Sequence, residues 1–165
     1  MPLFPAFLDL SKGTVLVVGE GSEADSKAEK MALFCEKVVR CPYPPQYEEL
    51  PALVILAEKE HPENEFWANH FRGLGVTVNV ADRPELCDFI FPSVIVRGDV
   101  SLGIATNGKA PALSALLRKR MEEALPEDLE AIMEIAARIT AELRQTIPEP
   151  HERGKVIREK LKELL

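Results

Sequence analysis

Thr14-Val15-Leu16-Val17-Val18-Gly19-Glu20-Gly21-Ser22-Glu23-Ala24 is the stretch whose reading decides the fold. The apolar, β-branched run to Val18 reads as a strand buried on both faces, the type found in parallel sheets. A helix is expected to follow, from Ala24 to Glu36. That order gives the glycines a meaning. Gly19 permits the tight turn out of the strand, and Gly21 lets a pyrophosphate approach the backbone. Ala24 is small enough for helix and strand to pack, and the helix N-terminus offers N–H groups to anionic oxygens. Ordinary strand-to-helix turns also use glycine. The G-x-G-x-x-A pattern therefore favours a dinucleotide site over a plain turn without removing that alternative.

Working outward, Phe4 to Leu10 is apolar and is expected to pack beside this strand, with a turn at Ser11-Lys12-Gly13. Ala28, Met31, Ala32 and Cys35 fall at helical spacing and read as the core face of the first helix. Lys37 to Cys41 reads as a second strand. An acidic residue near its end would bind ribose hydroxyls, but the chain has Arg40 there. An Arg can accept a 2′-phosphate, so NADP stays open beside NAD; an exposed edge-strand Arg is the equal alternative. Pro42, Pro44, Pro45 and Pro51 make the following residues a loop. Leu53 to Ala57 is a strand, Asn64 to Arg72 a helix closed by Gly73 and Gly75 with Trp67 as a packing residue, and Val76 to Val80 a further strand. The alternation implies a compact doubly wound sheet.

Beyond it, Pro92 to Arg97 and Val100 to Thr106 read as two strands joined by Gly98-Asp99, a hairpin signal. A helix is expected from Pro111 to about Ala124, with Leu113, Leu116, Leu117 and Met121 on its apolar face and Arg118, Lys119 and Arg120 on a basic side. Another is expected from Pro126, carrying Leu129, Ile132, Ala136, Ile139 and Leu143 and ended by Pro148 and Pro150. A charged amphipathic helix closes the chain, from Gly154 to Leu165. Such stripes must be buried, against each other or against a second subunit.

Composition narrows the function. The 165 residues are 46% hydrophobic, enough for a core, and the formal net charge of −7 argues against a nucleic-acid partner. No apolar run reaches membrane-spanning length, and Met1-Pro2-Leu3-Phe4-Pro5 lacks the basic start of a signal peptide, so a cytoplasmic protein is expected. Cys35, Cys41 and Cys87 have no metal-ligand spacing and read as buried or free thiols in a reducing compartment. His61, His70 and His151 are scattered and read as surface or capping residues, with no metal site expected.

The most distinctive string is Asn79-Val80-Ala81-Asp82-Arg83-Pro84-Glu85-Leu86-Cys87-Asp88-Phe89-Ile90-Phe91-Pro92-Ser93. Asp82 lies just past a strand's C-terminal end, where open α/β sheets place their ligands. Four collinear blocks together resemble the precorrin-2 dehydrogenase and sirohydrochlorin ferrochelatase family, the siroheme synthase N-terminal module. They are Phe7 to Leu10, the turn from Val18 to Ala24 with Lys27, Asn79 to Pro92, and Thr106 through Arg118. The resemblance implies NAD-dependent oxidation of precorrin-2 to sirohydrochlorin, and some members also insert Fe²⁺ as a substrate to give siroheme. It implies that Asp82 takes part in both reactions, that Thr106 lines the site, and that Ser22, Glu23, Tyr43 and Pro44 stand at cofactor-contact positions. It also implies a homodimer with a Rossmann domain (1–91), a two-strand dimerisation element (92–110) and a helical C-terminal region (111–165).

Three departures stand out. One strand-and-helix unit is missing between Cys41 and Leu53, the family's second glycine is Glu20, and the small polar residue after the third strand's Ala is Glu58. The chemistry is intelligible without the resemblance. Oxidising a tetrapyrrole needs a hydride acceptor and a group to manage a proton, roles open to NAD⁺ and a carboxylate. A carboxylate-rich substrate needs local cations. Arg97, Lys109, Arg118 and Lys119 are candidates, and Asn79 and Asn107 are expected beside Thr106 as substrate-binding residues; a solvated helix face is the bland reading of the cations, more so for Lys119 than for Lys109. Two other functions are carried beside the dehydrogenase: a non-catalytic Rossmann-like binding or scaffold subunit, and a chelatase that uses Asp82 without the dinucleotide.

Overall fold

The computed structural model describes residues 3–164, and they divide at Phe91/Pro92 into two compact units. The first unit runs β1 (Thr14–Val18), α1 (Gly21–Met31), β2 (Lys37–Cys41), β3 (Leu53–Leu56), α2 (Asn64–Gly73), β4 (Thr77–Val80). Its four strands are all parallel in the order β2-β1-β3-β4, with Val18 level with Cys41 on one side and Leu56 on the other. Alternate residues face alternate layers, as a strand's period of two requires. Val15, Val17, Leu53 and Ile55 pack with Ala24 and Met31 of α1. Leu16, Val18, Val54, Leu56, Val78 and Val80 pack with Ala68 and Phe71 of α2. The result is a Rossmann-like α/β/α sandwich in which β2 is an edge strand. The Pro-rich loop after it takes the place of the missing strand and helix, with Pro45 and Pro51 buried.

The second unit pairs β5 (Ser93–Arg97) with β6 (Val100–Ile104) as an antiparallel hairpin turning at Gly98, whose φ of +54° suits glycine. Three helices follow: α3 (Pro111–Ala124), α4 (Leu129–Thr146) and α5 (Pro150–Lys162). Ile95, Ser114, Leu129 and Ile132 are its buried residues.

Several expectations need correction. Phe4 to Leu10 does not pack beside β1: the segment is coil, with Phe4 89% and Phe7 75% exposed, and Leu10 alone reaches the α1-side core. Helix α1 starts at Gly21 and stops at Met31, short of Glu36, and leaves Ala32 exposed. Helix α4 begins at Leu129 and not at Pro126. The last helix begins at Pro150 and not at Gly154, because proline fits a first helical turn and Glu149 caps the Glu152 N–H. Leu165, the expected end of that helix, and Met1-Pro2 lie outside the described residues.

Candidate functional site

In the first unit, the C-terminal ends of all four strands converge. Backbone hydrogen bonds lock the turn to its neighbours: Gly19 N–H donates to the Cys41 carbonyl at 2.8 Å, and Ala57 N–H to the Val18 carbonyl at 2.8 Å. Gly19 and Gly21 both have positive φ, +124° and +80°. A Cβ on Gly21 would meet nothing within 4 Å, so the space beyond it is open, while Ala24 is fully buried under the helix. Ser22 and Glu23 are exposed on the first turn of α1, and Glu23 pairs with Lys27 at 3.4 Å. A turn of this form fits a pyrophosphate: left-handed glycines, open space, and a helix start behind them.

Asp82 stands two residues past the end of β4. It is exposed, with a left-handed φ of +57°, and its Oδ2 stands 2.6 Å from Lys59 Nζ, past the end of β3. Hydrogen bonding to Asp82 holds the Lys59 ammonium above its ordinary pKa. Asn79 lies inside the same unit, nearly buried. Its amide donates to the Phe89 carbonyl at 2.9 Å, so it braces the segment leaving β4. Cys87 completes that brace, accepting from Val80 N–H at 3.2 Å, and burial pushes its thiol up.

Tyr43 stacks on His61 with ring centroids 3.7 Å apart, and the Tyr43–Pro44 bond is cis. The Tyr43 hydroxyl donates to Asn64 Oδ1, and Asn64 Nδ2 donates to the Glu58 carbonyl at 2.8 Å. Burial first, then the neighbouring Glu58 and Glu63, raises the Tyr43 pKa, so the phenol stays protonated. Arg40 pairs with Asp25 and reaches the Gly19 carbonyl with Nη2 at 3.4 Å, which puts its guanidinium under the glycine turn. Lys59, Asn64 and Asp25 escaped the reading of the sequence. Their only signal was adjacency, to a strand end or a helix start.

The second unit holds the remaining candidates. Arg97 Nη2 and Arg118 Nη1 share the Glu122 carboxylate, at 3.0 and 2.6 Å. Arg97 also lines a shallow cavity with Glu127, Asp128, Glu130 and Glu134, acidic surroundings for an anionic ligand. Thr106 Oγ1 lies 3.2 Å from Ser114 Oγ, Asn107 has a φ of +53°, and Lys109 is exposed just before α3. Lys119 pairs with Glu123 at 3.9 Å on the solvated face of α3. Among the described residues no group of His, Cys, Asp and Glu could hold a metal ion, and no helix is long and apolar enough to cross a membrane.

Comparison with known proteins gives these features a context. Residues 37–93 match the family described as putative NAD(P)-binding, and residues 97–124 match the central domain of sirohaem biosynthesis proteins. The siroheme synthase of Psychrobacter sp. (strain PRwf-1) is 30% identical over 170 residues, covering 90% of this chain and 35% of its own length. That of Methylococcus capsulatus is 40% identical over 101 residues, covering 61% of this chain and 21% of its own. The chain thus spans about a third or less of the relatives it matches. The solved structure of SirC, a precorrin-2 dehydrogenase, superposes with a TM-score of 0.71 over 95% of this chain and 88% of its own, at 17% identity, which speaks to the fold.

Proposed function

Because this chain belongs to the sirohaem biosynthesis family, we propose that it oxidises precorrin-2 to sirohydrochlorin with a nicotinamide dinucleotide as hydride acceptor. The observation that carries the reading is the position of Asp82: an exposed carboxylate past the end of β4, in the same parallel sheet as an open glycine turn. The dinucleotide supplies hydride acceptance when bound. Gly21 and the N–H groups of Ser22 and Glu23 at the start of α1 face its pyrophosphate end, with Gly19 making the turn, Ala24 packing α1 on the sheet, and Tyr43 and Pro44 bordering the site. Asp82 takes the proton that leaves the oxidised ring, and Lys59 orients the carboxylate. Within the second unit, Thr106, Asn107, Lys109, Arg97 and Arg118 are the candidates for the substrate's carboxylates, and both arginines already share Glu122.

The working form is a homodimer. Its support is the apolar stripe of α3, where Leu113, Leu116, Leu117 and Met121 are all exposed. The opposing reading, a non-catalytic Rossmann-like subunit, draws on the trimmed sheet and on Glu58 at the turn. Titration with NAD⁺ and NADP⁺ separates the two: the dehydrogenase must bind one of them. Anaerobic incubation with precorrin-2 and the bound dinucleotide, with and without Fe²⁺, then reads dehydrogenation and iron insertion by absorption spectra.

A further inference from the structure

A second N–H of the glycine turn, beyond that of Gly19, is already engaged. Glu20 N–H donates to Glu58 Oε1 at 3.0 Å. The Glu58 side chain also lies across Gly19, where a Cβ would come within 2.8 Å of its Cγ and 3.4 Å of Oε1. Its backbone is fixed: Asn64, fully buried, donates to the Glu58 carbonyl, and the preceding Ala57 N–H is tied to β1. The carboxylate is therefore a movable tip on an anchored root, and a Glu side chain moves by simple rotamer change. A carboxylate oxygen on a helix-start N–H offers the same chemistry as a phosphate oxygen there.

We propose that Glu58 is a built-in anion on the dinucleotide site: its carboxylate must leave the Glu20 N–H before a pyrophosphate can take it, so Glu58 sets how tightly the cofactor binds. The inference rests on the dinucleotide reading above. One N–H serves one strong acceptor, and two anions brought to the same donor repel each other. Gly21 leaves room for the ligand, and Glu58 competes with it for the donor.

Calorimetric titration of the full chain with NAD⁺ and NADP⁺ tests this, in the parent, Glu58→Ser and Glu58→Gln, with Glu48→Ser as a control for net charge. Glu58→Ser should tighten binding of the preferred dinucleotide by about tenfold, the scale of one charge-assisted hydrogen bond. Glu58→Gln, which keeps the shape and drops the charge, should give part of that gain, and Glu48→Ser none. Without ligand, the Glu20 amide proton should lose its downfield NMR shift in Glu58→Ser. Equal or weaker binding by Glu58→Ser, with the parent binding normally, overturns the role of Glu58 and leaves the dinucleotide reading standing. Failure of every variant and the parent to bind either dinucleotide overturns both.

Discussion

Lys59 and Asp82 face each other past the ends of adjacent parallel strands, Nζ to Oδ2 at 2.6 Å. Both are exposed, so the pair positions a carboxylate more than it stabilises the fold. The Lys59 pKa is raised, through its hydrogen bond with Asp82 first. A lysine raised on folding contributes stability that is complete below its unfolded pKa and lost as pH rises through the folded one. The small melting-temperature difference between the parent and Lys59→Ala should therefore be flat across neutral pH and close only in strongly alkaline buffer. A difference that disappears between pH 5 and 8 would contradict the pairing.

Asn64 is fully buried and joins Tyr43 to the Glu58 backbone. Asn64→Ala leaves both partners without their hydrogen bonds, and should cost roughly 1–3 kcal/mol in urea unfolding. Asn64→Asp keeps the acceptor for Tyr43 and loses the donor to Glu58, so it should not restore stability.

Gly21→Asp should abolish dinucleotide binding while the protein still folds. The left-handed φ costs a side chain about 1–2 kcal/mol, but no atom lies within 4 Å to clash with it. The circular dichroism spectrum should match the parent's. Unchanged affinity for NAD⁺ would reduce the glycine turn to a bend in the chain.

Leu116 is 50% exposed in the middle of the α3 stripe. Leu116→Lys should convert the proposed dimer to a monomer in light scattering, since a charge cannot be buried there without a partner. A parent that is already monomeric at micromolar concentration would remove the homodimer.

The parallel sheet was legible because its strands are short apolar runs, Val15 to Val18 and Leu53 to Leu56 above all, the first ended by Gly19 and the second by Ala57 and Glu58. Asp82 and the glycine turn were legible because spacing and strand ends give their places in such a sheet. The N-terminal segment misled: Phe4 and Phe7 are apolar, but hydrophobicity alone names no surface to pack on, and the proline at position 5 limits its backbone. The links between Glu58 and Glu20 and between Asn64 and Tyr43 were not legible. Each joins residues far apart in the chain: the register of β1 beside β3 brings Glu20 to Glu58, and the order β2-β1-β3 brings Tyr43 to Asn64.

The central claim is that Asp82 carries the proton transfer of a precorrin-2 oxidation. Asp82→Asn suits the test because Asn tolerates the left-handed backbone and keeps the side chain's shape. The most direct measurement is the rate of reduced-dinucleotide formation from precorrin-2 under anaerobic conditions, in parent and variant, each first shown to bind the dinucleotide. The account predicts turnover by the parent, and in Asp82→Asn a loss of about 10²–10⁴-fold at unchanged dinucleotide affinity. Turnover by Asp82→Asn at the parental rate would contradict it.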